Sequence, residues 1–401
     1  MSNSLEEIAS VYYGRSPNAV RVDESVFCIY GTGGQVGFSR EPLFAGPIVV
    51  VARKGTLSNP TYSVNPCWVI DTAYAVVSKK NFDTKWLYYN LSNYDLESLN
   101  EATGVPSISR DYLYRIRFYS PPLPQQRKIA KILTTVDNLI EKTEALIAKY
   151  QSIKQGMMHD LFTRGVDANG KLRPTQSEAP ELYKQSELGW IPKEWEVGSI
   201  ASISTINPSV SIARFDALTL VSFLTMSDVS EDGRILNHQI RNLKDVKNGF
   251  TRFEEGDILF AKITPCMENG KGALAKNLQN KIGFGSTEFH VIRANEFGVP
   301  AHIYHLCQSK NVRAKATNFF SGSAGQQRVD SKFFFDYQLP VFSINEQRQI
   351  AALLSENDLV IVSLQKGLLK YKQLKNALMQ DLLTGKVQVT PDAEDKELAH
   401  A

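Results

Sequence analysis

The sequence predicts an α+β protein with a pseudo-twofold internal repeat. Two globular units of mixed or antiparallel β-sheet with short helices alternate with two long helices that pair with each other. Three observations predict this. A 44-residue stretch occurs twice, each copy carries an apolar seam at heptad spacing, and each follows a series of short β-type runs separated by turns.

The first copy reads LPQQRKIAKILTTVDNLIEKTEALIAKYQSIKQGMMHDLFTRGV, Leu123 to Val166, and the second INEQRQIAALLSENDLVIVSLQKGLLKYKQLKNALMQDLLTGKV, Ile344 to Val387. They align without a gap at a constant offset of 221 positions, and 15 of the 44 pairs are identical, among them Gln126/Gln347, Ala130/Ala351, Lys154/Lys375 and Thr163/Thr384. Unrelated amphipathic helices share apolar spacing, but not QR-x-IA at the head and Y-x(3)-K-x(3)-M-x-DL-x-T at the foot.

In the first copy Ile129, Ile132, Val136, Leu139, Thr143, Leu146, Tyr150, Ile153 and Met157 fall at alternating steps of three and four. The second keeps Ile350, Leu353, Val360, Leu364, Tyr371, Leu374 and Leu378, with lapses at Asn357 and Gly367. That spacing holds one stripe against a partner helix. Thr163-Arg164-Gly165 supplies a basic residue and a glycine suited to ending the helix. Helices are expected over 122–164 and 343–385. About 35 residues rise about 50 Å, and such a stripe needs a mate. The other copy is the nearest one; packing of each helix on its own globular unit is the competing reading.

Residues 1–121 read as the first globular unit. Ser4–Ser10 suits a short helix, and β-type runs follow at Ser25–Tyr30, Pro47–Ala52, Cys67–Ile70 and Ala73–Ser78. Gly31-Thr-Gly-Gly-Gln-Val-Gly37 and Arg53-Lys-Gly55 read as turns, Asp83–Asn93 as a helix, and Tyr112–Tyr119 alternates. A polar linker is expected over 165–189, a second globular unit over 190–342, and a disordered acidic tail over 386–401. Glu255–Lys262 resembles Ala45–Ala52, and Gly325 and Val329 lie 221 residues beyond Gly104 and Ile108, so the repeat register extends upstream of the helices.

The chain of 401 residues, 43% hydrophobic and 22% charged, has room for two or three globular cores. No apolar run reaches the length of a membrane span, and Met1–Ser10 has no basic start followed by an apolar core. Cys28, Cys67, Cys266 and Cys307 form no C-x-x-C pair, which fits a reduced, cytoplasmic chain. A net charge of +3 confines any nucleic-acid-binding face to a local patch.

Fragments that imitate catalytic motifs are weak. Asn65-Pro-Cys-Trp68 lacks the second proline of an amino-methyltransferase motif, and the glycines of Gly31–Gly37 lack a strand–turn–helix context. Pro391-Asp392 with Glu394-x-Lys396 compresses a nuclease signature into the tail. His302-x-x-His305-x-Cys307 has no fourth zinc ligand at a usable spacing and reads better as packing groups. No catalytic residue, metal site or cofactor is assigned to this chain.

Two diverged units on matched spacers suit two different targets a set distance apart, and duplex DNA offers half-sites about 34–36 Å apart. Candidate DNA-contacting residues lie in or beside glycine turns: Gln35, Arg40, Arg53 and Lys54 in the first unit, and Lys262, Asn269, Lys271, Gln326, Gln327 and Arg328 in the second. Arginine and lysine read guanine edges, glutamine and asparagine read adenine, and further cations hold phosphate.

On the duplicated helices with QR-x-IA and DL-x-T, the entry Leu188-Gly-x-Ile-Pro-x-x-Trp195, and the order unit, helix, unit, helix, the chain resembles a specificity subunit of a type I restriction–modification enzyme. The first unit departs from that pattern, because it begins at Leu5-Glu-Glu-Ile-Ala without a counterpart of Leu188–Trp195. The resemblance implies two target recognition domains, each reading half of a bipartite, asymmetric site in double-stranded DNA. An antiparallel coiled coil would set the unread gap. It also implies two modification subunits, which carry S-adenosylmethionine and methylate adenine N6, and restriction subunits that use ATP and Mg. Catalysis would reside in those partners. A coiled-coil protein–protein adaptor without DNA specificity and a stand-alone DNA methyltransferase are the alternatives.

Overall fold

The computed structural model describes residues 2–322 and 326–392. The chain forms two units: Met1–Leu146 with Leu364–Ala401, and Ile147–Ser363. Each unit thus combines one globular part with the beginning or end of both long helices, which a linear division of the sequence does not anticipate.

The first unit holds two four-stranded sheets. Ala9–Tyr13, Ala73–Ser78, Ile48–Ala52 and Thr61–Ser63 lie side by side in that order, all antiparallel. Ile48–Ala52 is buried at every residue, so its unbroken IVVVA run matches a strand covered on both faces. The other sheet runs Arg21–Val22, Gly34–Ser39, Phe27–Gly31, Cys67–Val69, with its last two strands parallel. Asp83 caps the helix Thr84–Asn93 by accepting the Trp86 N–H at 2.7 Å, and the helix buries Trp86, Leu87, Tyr89 and Leu91.

The second unit repeats this plan. Ser204–Ile206, Phe289–Ala294, Ile258–Ala261 and Gly272–Leu274 form the antiparallel sheet, and Gln239–Asn242, Leu220–Leu224, Ile282–Gly285 and Thr251–Glu254 the mixed one. Pro300–Gln308 occupies the place of Thr84–Asn93. The Ile108 N–H bonds the Arg53 carbonyl at 3.0 Å, and the Val329 N–H bonds the Lys262 carbonyl at 2.9 Å. The two donors keep the 221-residue register, whereas the acceptors are 209 positions apart, so the register is lost further upstream while the pairing is retained. Gly325, on which that register also rested, lies outside the described residues.

Several local expectations are corrected. The helix at the start is only Leu5–Ile8 and turns directly into the strand Ala9–Tyr13. Gly34–Ser39 is a strand despite its glycines, because Gly37 at φ +151° sits beside a bulge between Ile29 and Tyr30. Ser109 caps a helix over Arg110–Arg115 before the strand Arg117–Tyr119, so only the end of the Tyr112–Tyr119 alternation is extended. The expected linker is folded. Tyr183–Ser186 pairs with Gly189–Pro192, and buried Arg173 ion-pairs with Glu346 and with Glu194 at 2.9 Å. In the tail, Val389 packs on the first core and Asp392 meets Lys128 and Lys131 at 2.5 and 3.0 Å. The remainder of the tail, with Glu394 and Lys396, lies outside the described residues.

The long helices are Leu123–Thr163 and Ile344–Leu383. Each unit shows them antiparallel. In the first, Lys375 meets Asp137 and Lys372 meets Glu144, both at 2.7 Å. In the second, Lys154 meets Asp358 at 2.6 Å. The seam keeps Ile129, Val136, Thr143, Tyr150 and Met157, but between them it turns in Leu133, Ile140, Ile147, Lys154 and Leu161, one residue beyond the expected positions. Ile132 is half-buried, whereas Leu139, Leu146 and Ile153 are about 40% exposed. The second helix has the equivalent register: Ile350, Leu354, Asn357, Ile361, Leu364, Leu368, Tyr371, Lys375, Leu378 and Leu382. Asn357, expected to be a lapse, is a buried seam residue, while Leu353 and Val360 are half-buried and Leu374 is exposed. Steps of three-four and four-three both met apolar side chains here, so periodicity alone did not choose between them.

Gln126 and Gln347 explain the QR motif. Both are buried, and each joins its helix head to the globular part of its unit. Gln126 accepts the N–H of the capping residue Asp83 at 2.9 Å and donates to the Pro121 carbonyl at 2.8 Å. Gln347 accepts the N–H of the corresponding cap, Val299, at 2.9 Å and donates to the Phe342 carbonyl at 2.9 Å.

Candidate nucleic-acid interface

In the first unit the central strand Ile48–Ala52 delivers Arg53 and Lys54 to one edge. Arg53 Nη1 donates to the Asp71 carbonyl at 3.1 Å, and its guanidinium lies 5.3 Å from the centre of the Tyr13 ring. Arg110, the first residue of its helix, lies 5.4 Å from the same ring. Tyr13 is half exposed and rests at 5.2 Å on Tyr74. Burial pushes the Tyr74 hydroxyl up to about 12, and that hydroxyl donates to the Ile108 carbonyl at 3.1 Å. Among the described residues Arg53, Lys54 and Arg110 form no ion pair with a carboxylate. Two guanidiniums beside one half-exposed tyrosine ring, without an acid, make a local cationic patch suited to phosphate.

Lys54 is exposed and bridges to Ser107. Gln35 is exposed in the hairpin whose Thr32 faces Gly55. Arg40 follows the far end of that strand, where its N–H bonds the Val20 carbonyl, and it does not join the patch. Sequence reasoning missed Tyr13 and Arg110. Tyr12-Tyr13 stood in a strand that was not expected, and Arg110 lies 57 positions beyond Arg53.

In the second unit Lys262 takes the place of Arg53. It lines a cleft of about 550 Å³ with Asn207, Ser209, Thr251, Arg252 and His290. The carbonyl of Val329 can only accept, so the His290 Nε2–H donates to it at 2.8 Å and Nδ1 accepts from Asn207 at 3.3 Å. Burial holds His290 below the usual histidine range, so it presents this neutral tautomer. Arg252 was missed; its place in an alternating strand gave it no turn signal.

Gln326, Gln327 and Arg328 stand beside Lys262, with Gln327 accepting the Thr264 N–H at 2.9 Å. Arg328 is engaged by Glu288 at 3.0 and 2.8 Å, and its hydrogen bonds hold the Glu288 carboxyl below the usual range. Lys271 and Asn269 do not join the group: Lys271 Nζ donates to the Met226 carbonyl and Asn269 to Glu231, both at 2.9 Å. His302 packs edge-on to Phe162 and Phe342 at 5.6 and 5.0 Å. Burial lowers it to about 3 and pushes Cys307 up to about 12. Among the described residues no cluster of three or more histidine, cysteine or acidic side chains could hold a metal, and no helix is long and apolar enough to cross a membrane.

The model of the type I restriction modification DNA specificity domain matches residues 4–150 and 192–372, one match on each globular part and the helix that follows it. The chain belongs to this family. Similar proteins include the type I restriction enzyme EcoAI specificity subunit of Escherichia coli, 35% identical over 184 residues, which is 45% of this chain and 31% of that protein. The EcoEI specificity subunit of the same organism is 32% identical over 52% of this chain and 35% of its own length. The MjaVIII specificity subunit of Methanocaldococcus jannaschii is 25% identical over 80% of this chain and 75% of its own. The chain therefore spans about a third of the length of the Escherichia coli relatives. The solved type I restriction–modification S subunit from M. genitalium shares the fold, with a TM-score of 0.62, 13% identity, and coverage of 97% and 96% of the two chains.

Proposed function

We propose that this chain is a noncatalytic, cytoplasmic subunit that recognises double-stranded DNA for a type I restriction–modification complex. Each globular part would read one half of a bipartite, asymmetric site, and the paired helices would set the length of the unread gap. One observation carries the reading: the equivalent glutamines Gln126 and Gln347 make the same bonds in both units, while the edges of the globular parts differ. Arg53, Tyr13 and Arg110 stand where the second unit has Lys262 and a polar cleft. Identical mounts with different faces suit two different half-sites.

The exposed apolar positions of the helices, Leu139, Leu146, Ile153 and Leu374, support docking of modification subunits on the surface turned away from the seam. Ile153 and Leu374 are equivalent in the repeat, as two identical partners require. Methyl transfer from S-adenosylmethionine, and restriction using ATP and Mg, would belong to the partners.

The test is host methylome sequencing with and without this chain, joined to duplex binding by the chain assembled with its modification subunit. A gapped adenine-methylation motif that disappears with the chain is expected. Equal binding to every duplex, or turnover of S-adenosylmethionine by the chain alone, would overturn the reading. Removing seven residues in register from both helices should favour a site with fewer unread base pairs, since a heptad rises about 10 Å.

A further inference from the structure

At equivalent positions of the repeat, each pair of long helices presents three polar side chains beside one polar side chain of the globular part of its own unit. In the first unit Tyr89, on Thr84–Asn93, donates to Asp137 Oδ2 at 2.7 Å and lies 3.1 Å from Thr134 Oγ1. Lys375 closes on Asp137 Oδ1 at 2.7 Å. In the second unit His305, on Pro300–Gln308, places Nε2 3.0 Å from Ser355 Oγ and Nδ1 3.8 Å from Asp358 Oδ2. Lys154 reaches Asp358 Oδ1 at 2.6 Å. Thr134 and Ser355, Asp137 and Asp358, and Lys154 and Lys375 are each 221 positions apart. Tyr89 and His305 each stand six positions beyond the residue that caps their helix.

Asp137 is thus bonded both to the other long helix and to a helix of the globular part. Asp358 is bonded to the other long helix and only faces His305 at 3.8 Å, the bond to the globular part there being made by Ser355. The contacts around them are largely apolar and set no direction, whereas a charged hydrogen bond fixes angle as well as distance. Both aspartates are partly exposed, so these bonds add little to stability. What they can do is hold orientation. The joints differ: Tyr89 is bonded directly to its aspartate, while His305 stands off.

We propose that Asp137 and Asp358 are positioning residues for sequence reading, each fixing the angle of its own globular part on the helix pair and so sharpening discrimination in one half-site. This rests on the function proposed above. The directly bonded joint at Asp137 should matter more.

The test uses the full chain assembled with its modification subunit on a randomised duplex library, with methylated sites sequenced. Asp137→Asn should relax base preference about tenfold, on the order of one mismatched pair, in one half-site only, and Asp358→Asn should relax the other half by less. Tyr89→Phe, which keeps the ring and removes only the hydroxyl, should reproduce Asp137→Asn. Preference unchanged, or relaxed equally in both halves, overturns the proposal. A second measurement needs no DNA: amide hydrogen exchange of Thr84–Asn93 should quicken in Asp137→Asn and that of Pro300–Gln308 in Asp358→Asn, each leaving the other helix unchanged. Unaltered exchange overturns the joint itself. A wild-type assembly without a bipartite preference would instead overturn the function, and the exchange result would still decide the joint.

Discussion

Glu346 offers the sharpest test of how the second unit is held. Its carboxylate, buried at the head of the second long helix, accepts from both Arg173 terminal nitrogens, from the Val166 N–H at 2.9 Å and from Trp195 Nε1 at 3.0 Å. Glu346→Ala strands a guanidinium whose side chain is 9% exposed, leaving it the Arg164 carbonyl and the exposed Glu194. Removing one member of a buried pair costs about 3–5 kcal/mol. In a unit of this size each kcal/mol moves the melting temperature by about 2–4 °C, so the unit should melt about 6–20 °C lower. Calorimetry on the full chain reads this directly. Because the orphaned cation is the largest part of the loss, Arg173→Met combined with Glu346→Leu should recover part of it, with the Val166 N–H and Trp195 Nε1 still unpaired. A loss under about 1 kcal/mol, or a double variant as unstable as Glu346→Ala, would refute the reasoning.

Gly165 adopts φ +63°, and a Cβ there would lie 2.1 Å from Glu346 Oε1 and 2.3 Å from the Trp195 ring. Gly165→Ala should therefore lose more than about 1 kcal/mol, measured by urea denaturation of the full chain. His302 and His305 are lowered from 6.5 to about 3 by burial, so the unfolded chain takes up their protons first. Their neutral burial is free of penalty above pH 6.5, and stability falls as the pH drops from there towards 3, by about 2 kcal/mol per histidine at pH 5. His302→Phe should shrink the loss between pH 7 and 5 by about that amount; an unchanged urea-midpoint profile would contradict the burial argument. Arg53→Glu with Arg110→Glu should weaken duplex binding and reduce the slope of log affinity against log salt by about 0.9 for each phosphate no longer neutralised. Binding and slope equal to wild type would remove this patch from the interface.

The long helices, the fully buried strand Ile48–Ala52 and the capped helix at Asp83 were legible because each is fixed by local pattern. The seam register was not, because Ile132-Leu133, Leu139-Ile140 and Leu146-Ile147 put apolar residues at both candidate positions. The partner helix made the choice. The folding of residues 165–189 was illegible for another reason: it depends on Arg173, Glu346 and Trp195, which meet only in three dimensions. The same holds for the interface. Arg53 and Lys54 announced themselves by standing in a glycine turn, whereas Tyr13 and Arg110 acquire meaning only once a strand and a helix bring them to one ring. Lys271 and Asn269 carried the same signal as Lys262, and the fold directs them to the Met226 carbonyl and Glu231 instead.

Gln126 and Gln347 address backbone atoms, not side chains: the amide nitrogen of the residue that caps a helix of the globular part, and a carbonyl just ahead of the long helix itself. Asp83 at one such amide and Val299 at the other share no chemistry, yet the fitting is the same. A socket that ignores side-chain identity tolerates any insert with the right backbone path. On the function proposed above, a different reader could sit on an unaltered shaft, and a lineage could change what it recognises while leaving the mounting hardware untouched.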